Sequence, residues 1–208
     1  DRRQRQMCIR DSAISVEDLE TRMVSDMSDM LDKTIGVSVS KRNVSGRAYN
    51  DGISIRGLGG KRVNILIDGI RVAEAYTGYG RDVVDVDLLK RVEILKGPSS
   101  ALYGSDGLAG AISYITKDAS DLADFGESYF SVNTSYDEDN EQTKVGFIAA
   151  RVGENIETLL QVTSRELSQL ELHDDATQEL DPFDGEQTSI LAKFQFNLSE
   201  SVDATLTL

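Results

Sequence analysis

Few side chains in this chain of 208 residues could carry out acid–base, nucleophilic or metal chemistry. The sequence holds a single histidine, His173, and a single cysteine, Cys8, so it can form neither an internal disulfide nor a cysteine zinc site. His173 stands in the acidic segment 166–186, where its imidazole could bind haem iron or a metal, or could simply face solvent. Because no nucleophile and base recur in a catalytic pattern, the sequence predicts a protein that is not an enzyme and that holds no cofactor of its own.

Two glycine clusters could instead surround a phosphate. Residues 57–61 (GLGGK) follow an alternating apolar segment, and residues 97–104 precede a run of small residues. A phosphate loop needs a lysine directly before a hydroxyl residue and a long helix after it, and neither cluster has that arrangement. The net charge of −14 also argues against nucleic acid, which attracts clustered Lys and Arg. The glycines therefore indicate tight turns and close backbone approach.

The N-terminal part of the chain predicts two short helices. Ser15 stands before two acidic residues in the pattern of a helix N-terminus, and residues 28–33 continue as a second helix. We interpret the methionines around Met30 as core residues rather than metal ligands. Residues 1–12 have no apolar stretch typical of an export signal. We therefore interpret them as a non-native leader outside the fold, and expect any export signal to lie upstream.

Short strands separated by glycine-rich loops are predicted for the next part of the chain. Asp68-Gly69 between apolar residues predicts a tight turn, and Gly97-Pro98 leads into a one-turn helix over residues 99–103. These elements together indicate a small α+β domain. The predicted strands are residues 37–40, 53–56, 63–67, 91–95 and 111–116.

After residue 121 apolar and polar residues alternate, and the helical spacing disappears. Strands of about ten residues with one apolar face fit either a soluble sandwich or a transmembrane barrel. Tight connections at 153–155 and 199–201 alternate with looser, acidic ones at 137–142 and 166–186, which favours a barrel with its tight turns on the periplasmic side. The predicted strands are residues 129–136, 144–150, 156–165, 189–198 and 202–208.

The segments 53–59, 63–71 and 90–117 resemble, in order and spacing, the plug signature of TonB-dependent outer-membrane receptors. Residues 17–39 also resemble the opening helices and strand of that plug. The residues that match the signature are Gly57, Asp68, Gly69, Gly97, Pro98, Tyr103, Gly104 and Gly110.

The resemblance implies an α+β plug domain followed by the first antiparallel strands of a transmembrane β-barrel. The plug would span residues 13–120, and about five strands would span residues 121–208. Five strands cannot close a barrel, because an open edge in hydrocarbon leaves backbone groups unpaired, so we expect a truncated barrel. The implied location is the bacterial outer membrane, with the plug entered from the periplasmic side.

The implied function is import of an iron source, either haem or a ferric siderophore, energised by the TonB complex. A haem-carrier protein is a further implied partner, because residues 88–121 are most similar to the haem and haemoglobin branch of the family. The segment that TonB binds by strand addition would precede residue 13. Two alternatives stay open: a receptor of the same architecture for cobalamin or another nutrient, and a secreted all-β adhesion or scaffold protein.

Two groups of residues would carry this function. By resemblance, Arg56, Arg91 and Glu93 are locking charges that pair with the barrel wall and hold the plug in place, although they could equally be solvated strand charges. The loop after Asp68-Gly69 would face the ligand or pack on the wall. Its ligand-facing candidates are Arg71, Tyr76, Tyr79 and Arg81.

Overall fold

The computed structural model divides the part of the chain that it describes into two compact units. The first unit ends at Thr116 and the second begins at Lys117. Among the described residues, no helix has the length and apolar character needed to cross a membrane. The described residues are 11–15, 30–31, 34–39, 53–72, 84–99, 103, 107–137, 142–168, 184–199 and 202–208.

The first unit contains two small sheets. A mixed sheet has the strand order β1-β7-β8-β5-β6, in which β5 and β8 are parallel and the other neighbours are antiparallel. A second, antiparallel sheet has the order β2-β3-β4. The strands are β1 (Asp11–Ser15), β2 (Val37–Val39), β3 (Ile53–Ile55), β4 (Leu58–Gly59), β5 (Val63–Ile67), β6 (Ile70–Arg71), β7 (Leu89–Lys96) and β8 (Gly110–Thr116).

All five strands predicted for this unit are present, with bounds that differ by no more than two residues. β5 matches its prediction residue for residue, because its apolar run is buried on both faces. The shorter β2 and β3 each bury alternate residues, as their sequence pattern predicts. Together these strands form one apolar core that includes the fully buried Tyr114.

The strand β1 was not predicted. It pairs antiparallel with β7, where Ser15 lies opposite Arg91, and Ile14 is buried in the core. Ser15, predicted as the N-cap of a helix, is the last residue of β1, an extended conformation that an N-cap also adopts. β1 begins at Asp11, two residues before the predicted start of the domain, and Lys96 Nζ donates a hydrogen bond of 2.8 Å to Ser12 Oγ.

Of the two predicted helices, only a fragment lies within the described residues. Met30 and Leu31 are helical and almost completely buried, which confirms the interpretation of Met30 as a core residue. The predicted first helix after Ser15 lies outside the described residues.

The second unit contains five antiparallel strands in sequential order, which we call the C-terminal sheet. The one-turn helix Ala119–Asp121 packs against β10 and β11. The tight connection predicted at 153–155 is present. The strands are β9 (Ser128–Asp137), β10 (Gln142–Val152), β11 (Ile156–Ser168), β12 (Asp184–Ser199) and β13 (Val202–Thr207), close to the five predicted.

Replacing Gly110 by alanine is expected to destabilise the first unit. Gly110 has a φ of +156°, and an added Cβ would clash with the carbonyl oxygen of Leu95 and lie 2.9 Å from Ile55 Cδ1. Gly57→Ala is the matched control, since its φ is +78° but nothing lies within 4 Å of the added Cβ. Strain alone should cost Gly57→Ala about 1–2 kcal/mol, and Gly110→Ala should cost about 1–3 kcal/mol more.

The comparison is made by urea unfolding of the chain, followed by the fluorescence of tyrosine, since the chain has no tryptophan. Equal unfolding midpoints for the two variants would show that the close approach of Gly110 to β7 does not limit stability.

Candidate functional site

Two tight turns display the charged and glycine residues of the predicted signature. Arg56 and Gly57 connect β3 to β4 with φ angles of 52° and 78°, and Asp68 and Gly69 connect β5 to β6 with φ angles of 47° and 80°. Two successive positive φ values are typical of the type I′ turn, whose twist matches that of the flanking strands. The turn predicted at Asp68-Gly69 is confirmed, whereas Arg56 was predicted as the end of a strand and instead forms a turn.

The three predicted locking charges lie on two different sheets. Arg56 is exposed at its turn, and its backbone N–H donates a hydrogen bond of 2.7 Å to the Gly36 carbonyl oxygen. Arg91 and Glu93 share one face of β7, where Arg91 Nε lies 2.8 Å from Glu93 Oε1. Their side chains are 41% and 49% exposed, so this pair is available to further charged partners.

The carboxylate of Asp68 binds the end of β8. Thr116 donates twice, from its backbone N–H to Asp68 Oδ1 at 2.9 Å and from its hydroxyl to Oδ2 at 2.6 Å. The backbone N–H of Asp68 also donates to the Tyr114 carbonyl oxygen at 2.9 Å. The β5–β6 turn is thus tied to the last residue of the first unit. Thr116 was missed as a site residue, because 48 positions separate it from Asp68.

The glycine-rich loop after β7 is closed at its base by backbone hydrogen bonds. Gly97 N–H donates to the Ala109 carbonyl oxygen at 3.0 Å, and Ser99 N–H donates to that of Gly107 at 2.7 Å. An added Cβ on Gly107 would lie 2.5 Å from Nδ2 of Asn64, a completely buried residue of β5. Only glycine fits at Gly107, so the loop base packs directly on the sheet.

The remaining residues of the signature lie on this same loop. Tyr103 N–H donates to the Ser99 carbonyl oxygen at 2.9 Å, a bond of one α-helical turn that agrees with the predicted helix. Pro98 and the Tyr103 side chain are exposed. Gly104 lies outside the described residues.

Of the predicted ligand-facing residues, Arg71 alone lies within the described part of the chain. Arg71 is exposed at the end of β6. Within the described part of the chain, no three His, Cys, Asp or Glu side chains come together in a group that could hold a metal. The candidates that lie outside the described residues are Tyr76, Tyr79, Arg81 and His173.

The C-terminal sheet has an exposed face that is mainly apolar and a buried face that carries charged and amide side chains beside apolar ones such as Leu159 and Leu191. Phe130 and Phe147 touch edge-to-face, with ring centroids 5.0 Å apart, and Phe130 is 67% exposed. On the opposite face, Arg165 is 7% exposed and Lys193 is 6% exposed. Other exposed apolar residues are Val132, Ile190 and Leu198, and other buried polar residues are Gln161 and Thr163.

Replacing Asp68 by asparagine is expected to loosen the tie between the β5–β6 turn and β8. Asparagine tolerates the positive φ, but its amide offers one acceptor for the two donors of Thr116, so the change should cost about 1–3 kcal/mol. Thr116→Val, which keeps the backbone donor, is the matched second variant.

A double-mutant cycle on unfolding free energies tests this tie. The loss in the double variant should be smaller than the sum of the single losses by about 0.5–3 kcal/mol, as expected for residues in contact. Strictly additive losses would contradict a direct role for the hydroxyl of Thr116.

Comparison with known proteins agrees with the predicted resemblance. A family model described as "TonB-dependent Receptor Plug Domain" matches residues 4–111, just over half of the chain. The match begins inside the segment 1–12 that was predicted to be a leader.

Two curated relatives and one solved structure extend the comparison. Hemoglobin-binding protein A of Haemophilus influenzae is 30% identical over 95% of this chain, and the vitamin B12 transporter BtuB of Vibrio vulnificus is 36% identical over 50% of it. The Serratia marcescens hemophore receptor HasR, solved with its hemophore HasA and heme, superposes with a TM-score of 0.80 at 25% identity over 95% of this chain.

These matches cover only part of each known protein. The chain spans 22% of the Haemophilus protein, 17% of the Vibrio protein and 30% of the HasR chain. The signature turns, the sheet topology of the first unit and the family match over residues 4–111 agree with one another. The chain therefore belongs to the TonB-dependent receptors and contains their plug domain.

Proposed function

We propose that this chain is the plug and the first wall strands of an outer-membrane receptor that imports an iron source, haem or a ferric siderophore, with energy from the TonB complex. The observation that carries the proposal is the C-terminal sheet, whose exposed face is mainly apolar and whose buried face holds Arg165 and Lys193. A protein surrounded by water places its faces the other way round. Strands of a membrane barrel face lipid with apolar side chains and keep polar ones inside.

Aromatic residues near both ends of β9 support the membrane assignment. Phe130 lies towards the end with the tight turn and is 67% exposed, and Tyr136 lies towards the other end and is 62% exposed. Six residues of extended strand separate them by roughly 20 Å. That distance is comparable with the apolar band of about 25 Å that aromatic girdles flank in outer-membrane barrels. In a secreted adhesion protein, the alternative from another class, a partner protein would have to cover this exposed apolar face.

Haem or haemoglobin-derived iron is the proposed cargo. Hemoglobin-binding protein A matches 95% of this chain, and HasR, whose structure contains heme and a hemophore, covers the same share. The vitamin B12 transporter has the higher identity, but its match covers only 50% of the chain. Import of cobalamin is therefore the second candidate, supported by that 36% identity. For the haem receptor, a haem-carrier protein is the proposed extracellular partner.

The proposed role of Arg56, Arg91 and Glu93 is to lock the plug through charge pairs with the complete barrel. All three are exposed or half-exposed in the first unit, so each can reach a partner. The type I′ turn holds the backbone of Arg56, so its guanidinium projects from a fixed base. A charged side chain that the barrel encloses needs a partner of opposite charge, because burying an unpaired charge costs free energy of folding.

Uptake by the full-length receptor should depend on the energising partner. A strain whose other haem receptors are deleted should grow on haem as its iron source, and should stop growing when the TonB gene is also deleted. Growth on a permeable ferrous salt serves as the control. Haem-dependent growth that persists without TonB would contradict the transport mechanism. Cobalamin-dependent growth of a cobalamin auxotroph that expresses the receptor, without growth on haem, would favour the second candidate.

Arg56→Ala is expected to loosen the plug and admit large antibiotics. Loss of one locking charge should raise vancomycin sensitivity several-fold without lowering the amount of folded receptor, because the turn backbone needs no arginine side chain. Arg62→Ala, which removes another exposed arginine of the same unit outside the signature, is the matched control. If the two variants are equally sensitive, Arg56 is a solvated charge and not a lock.

A further inference from the structure

Asp118 connects the start of the second unit to β12. Lys193 Nζ lies 2.9 Å from Asp118 Oδ1, and Gln195 Nε2 donates to the same oxygen at 3.3 Å. Lys193 and Gln195 are two residues apart on β12 and share its buried face. The side chain of Lys193 is 7% exposed and that of Asp118 is 24% exposed, so this ion pair is largely withdrawn from solvent.

Asp118 is also fixed within its own segment. Its side chain accepts a hydrogen bond from the backbone N–H of Asp121, and Asp121 Oδ2 accepts one from the backbone N–H of Asp118 at 2.8 Å. This capping box holds the one-turn helix Ala119–Asp121 in place. The Asp118 carboxylate is therefore held in a fixed position in which it accepts hydrogen bonds from β12.

A second set of contacts fixes the segment further along, at β10. Gly126 N–H donates to the Val152 carbonyl oxygen at 2.9 Å, and Val152 N–H donates to that of Glu127 at 3.2 Å. Residues 117–127, which we call the strap, thus bind β12 near their start and β10 at their end. Because β11 lies between β10 and β12, the strap crosses three strands of the C-terminal sheet before it enters β9.

The other side of the connection is fixed as well. Thr116, the last residue of the first unit, is held by the carboxylate of Asp68, and only Lys117 separates it from Asp118.

We propose that Asp118 is a positioning residue that anchors the strap to β12 through Lys193 and Gln195. Force applied to the plug chain is then borne by this contact with the barrel wall. Rearrangement of the plug during transport is then confined to residues before Thr116. This role rests on the proposed function, whereas the anchoring itself does not. A buried ammonium that loses its carboxylate partner is strongly destabilised, which makes the pair a strong anchor.

The anchor is tested by limited trypsin digestion of the full-length receptor in outer-membrane vesicles. Lys193→Met should accelerate cleavage after Lys117 about tenfold, because the strap must leave the sheet to be cut. Lys193→Arg, which keeps the charge pair, should restore slow cleavage. Asp121→Asn weakens the cap but leaves the contact between Asp118 and Lys193, so it should stay close to wild type.

Gln195→Leu provides a milder variant should Lys193→Met fail to fold, as judged by heat-modifiable mobility on gels. Loss of this second donor should accelerate cleavage about threefold. Cleavage that is unchanged in Lys193→Met, or accelerated equally in Asp121→Asn, would overturn the anchor.

The role in bearing force is tested in cells by vancomycin sensitivity. A strain with the Lys193→Met receptor should become sensitive only while TonB is present. If Lys193→Met is cleaved faster but its vancomycin sensitivity is the same with and without TonB, the anchor stands and its role in bearing force is overturned. Failure of the import function itself is distinguishable, since it appears as haem-dependent growth of the wild type without TonB.

Discussion

The polarity of the C-terminal sheet is the constraint on which the rest of the structure depends. Its exposed face carries Phe130, Ile190 and Leu198, while its other face buries Arg165 and Lys193. Apolar side chains exposed over several strands are stable only against another apolar phase, and buried charges are stable only with partners. This polarity is the one expected for the outer-membrane barrel wall proposed above, with lipid on one side and polar groups on the other.

Two aspartates hold the residues on either side of the boundary after Thr116. The carboxylate of Asp68 accepts both donors of Thr116, its backbone N–H and its hydroxyl. Asp118 gives one oxygen to Lys193 and Gln195 and also caps its own helical turn. Each aspartate thereby serves two structural elements at once, so a single substitution at either position loosens a turn and a strand contact together.

Local sequence signals were sufficient where a single strand or turn decides the conformation. Val63–Ile67 was predicted without error, since a short, nearly continuous apolar run that is rich in β-branched residues and followed by a turn signal favours a buried strand. Asp68-Gly69 was recognised because few residue pairs tolerate two successive positive φ angles. The turn at Arg56 was missed, since arginine rarely adopts a positive φ and the alternating pattern extended the strand through it.

The sequence by itself determined the alternating faces of the later strands, the positions of most turns and the plug signature. These features depend on residues that are neighbours along the chain, where side-chain period and backbone preference act directly. Only the tertiary structure decided that Asp11–Ser15 form a strand, since that depends on the edge of β7. It also decided that Asp118 contacts Lys193, which lies 75 positions away in the sequence. Such a contact depends on how every intervening strand is paired.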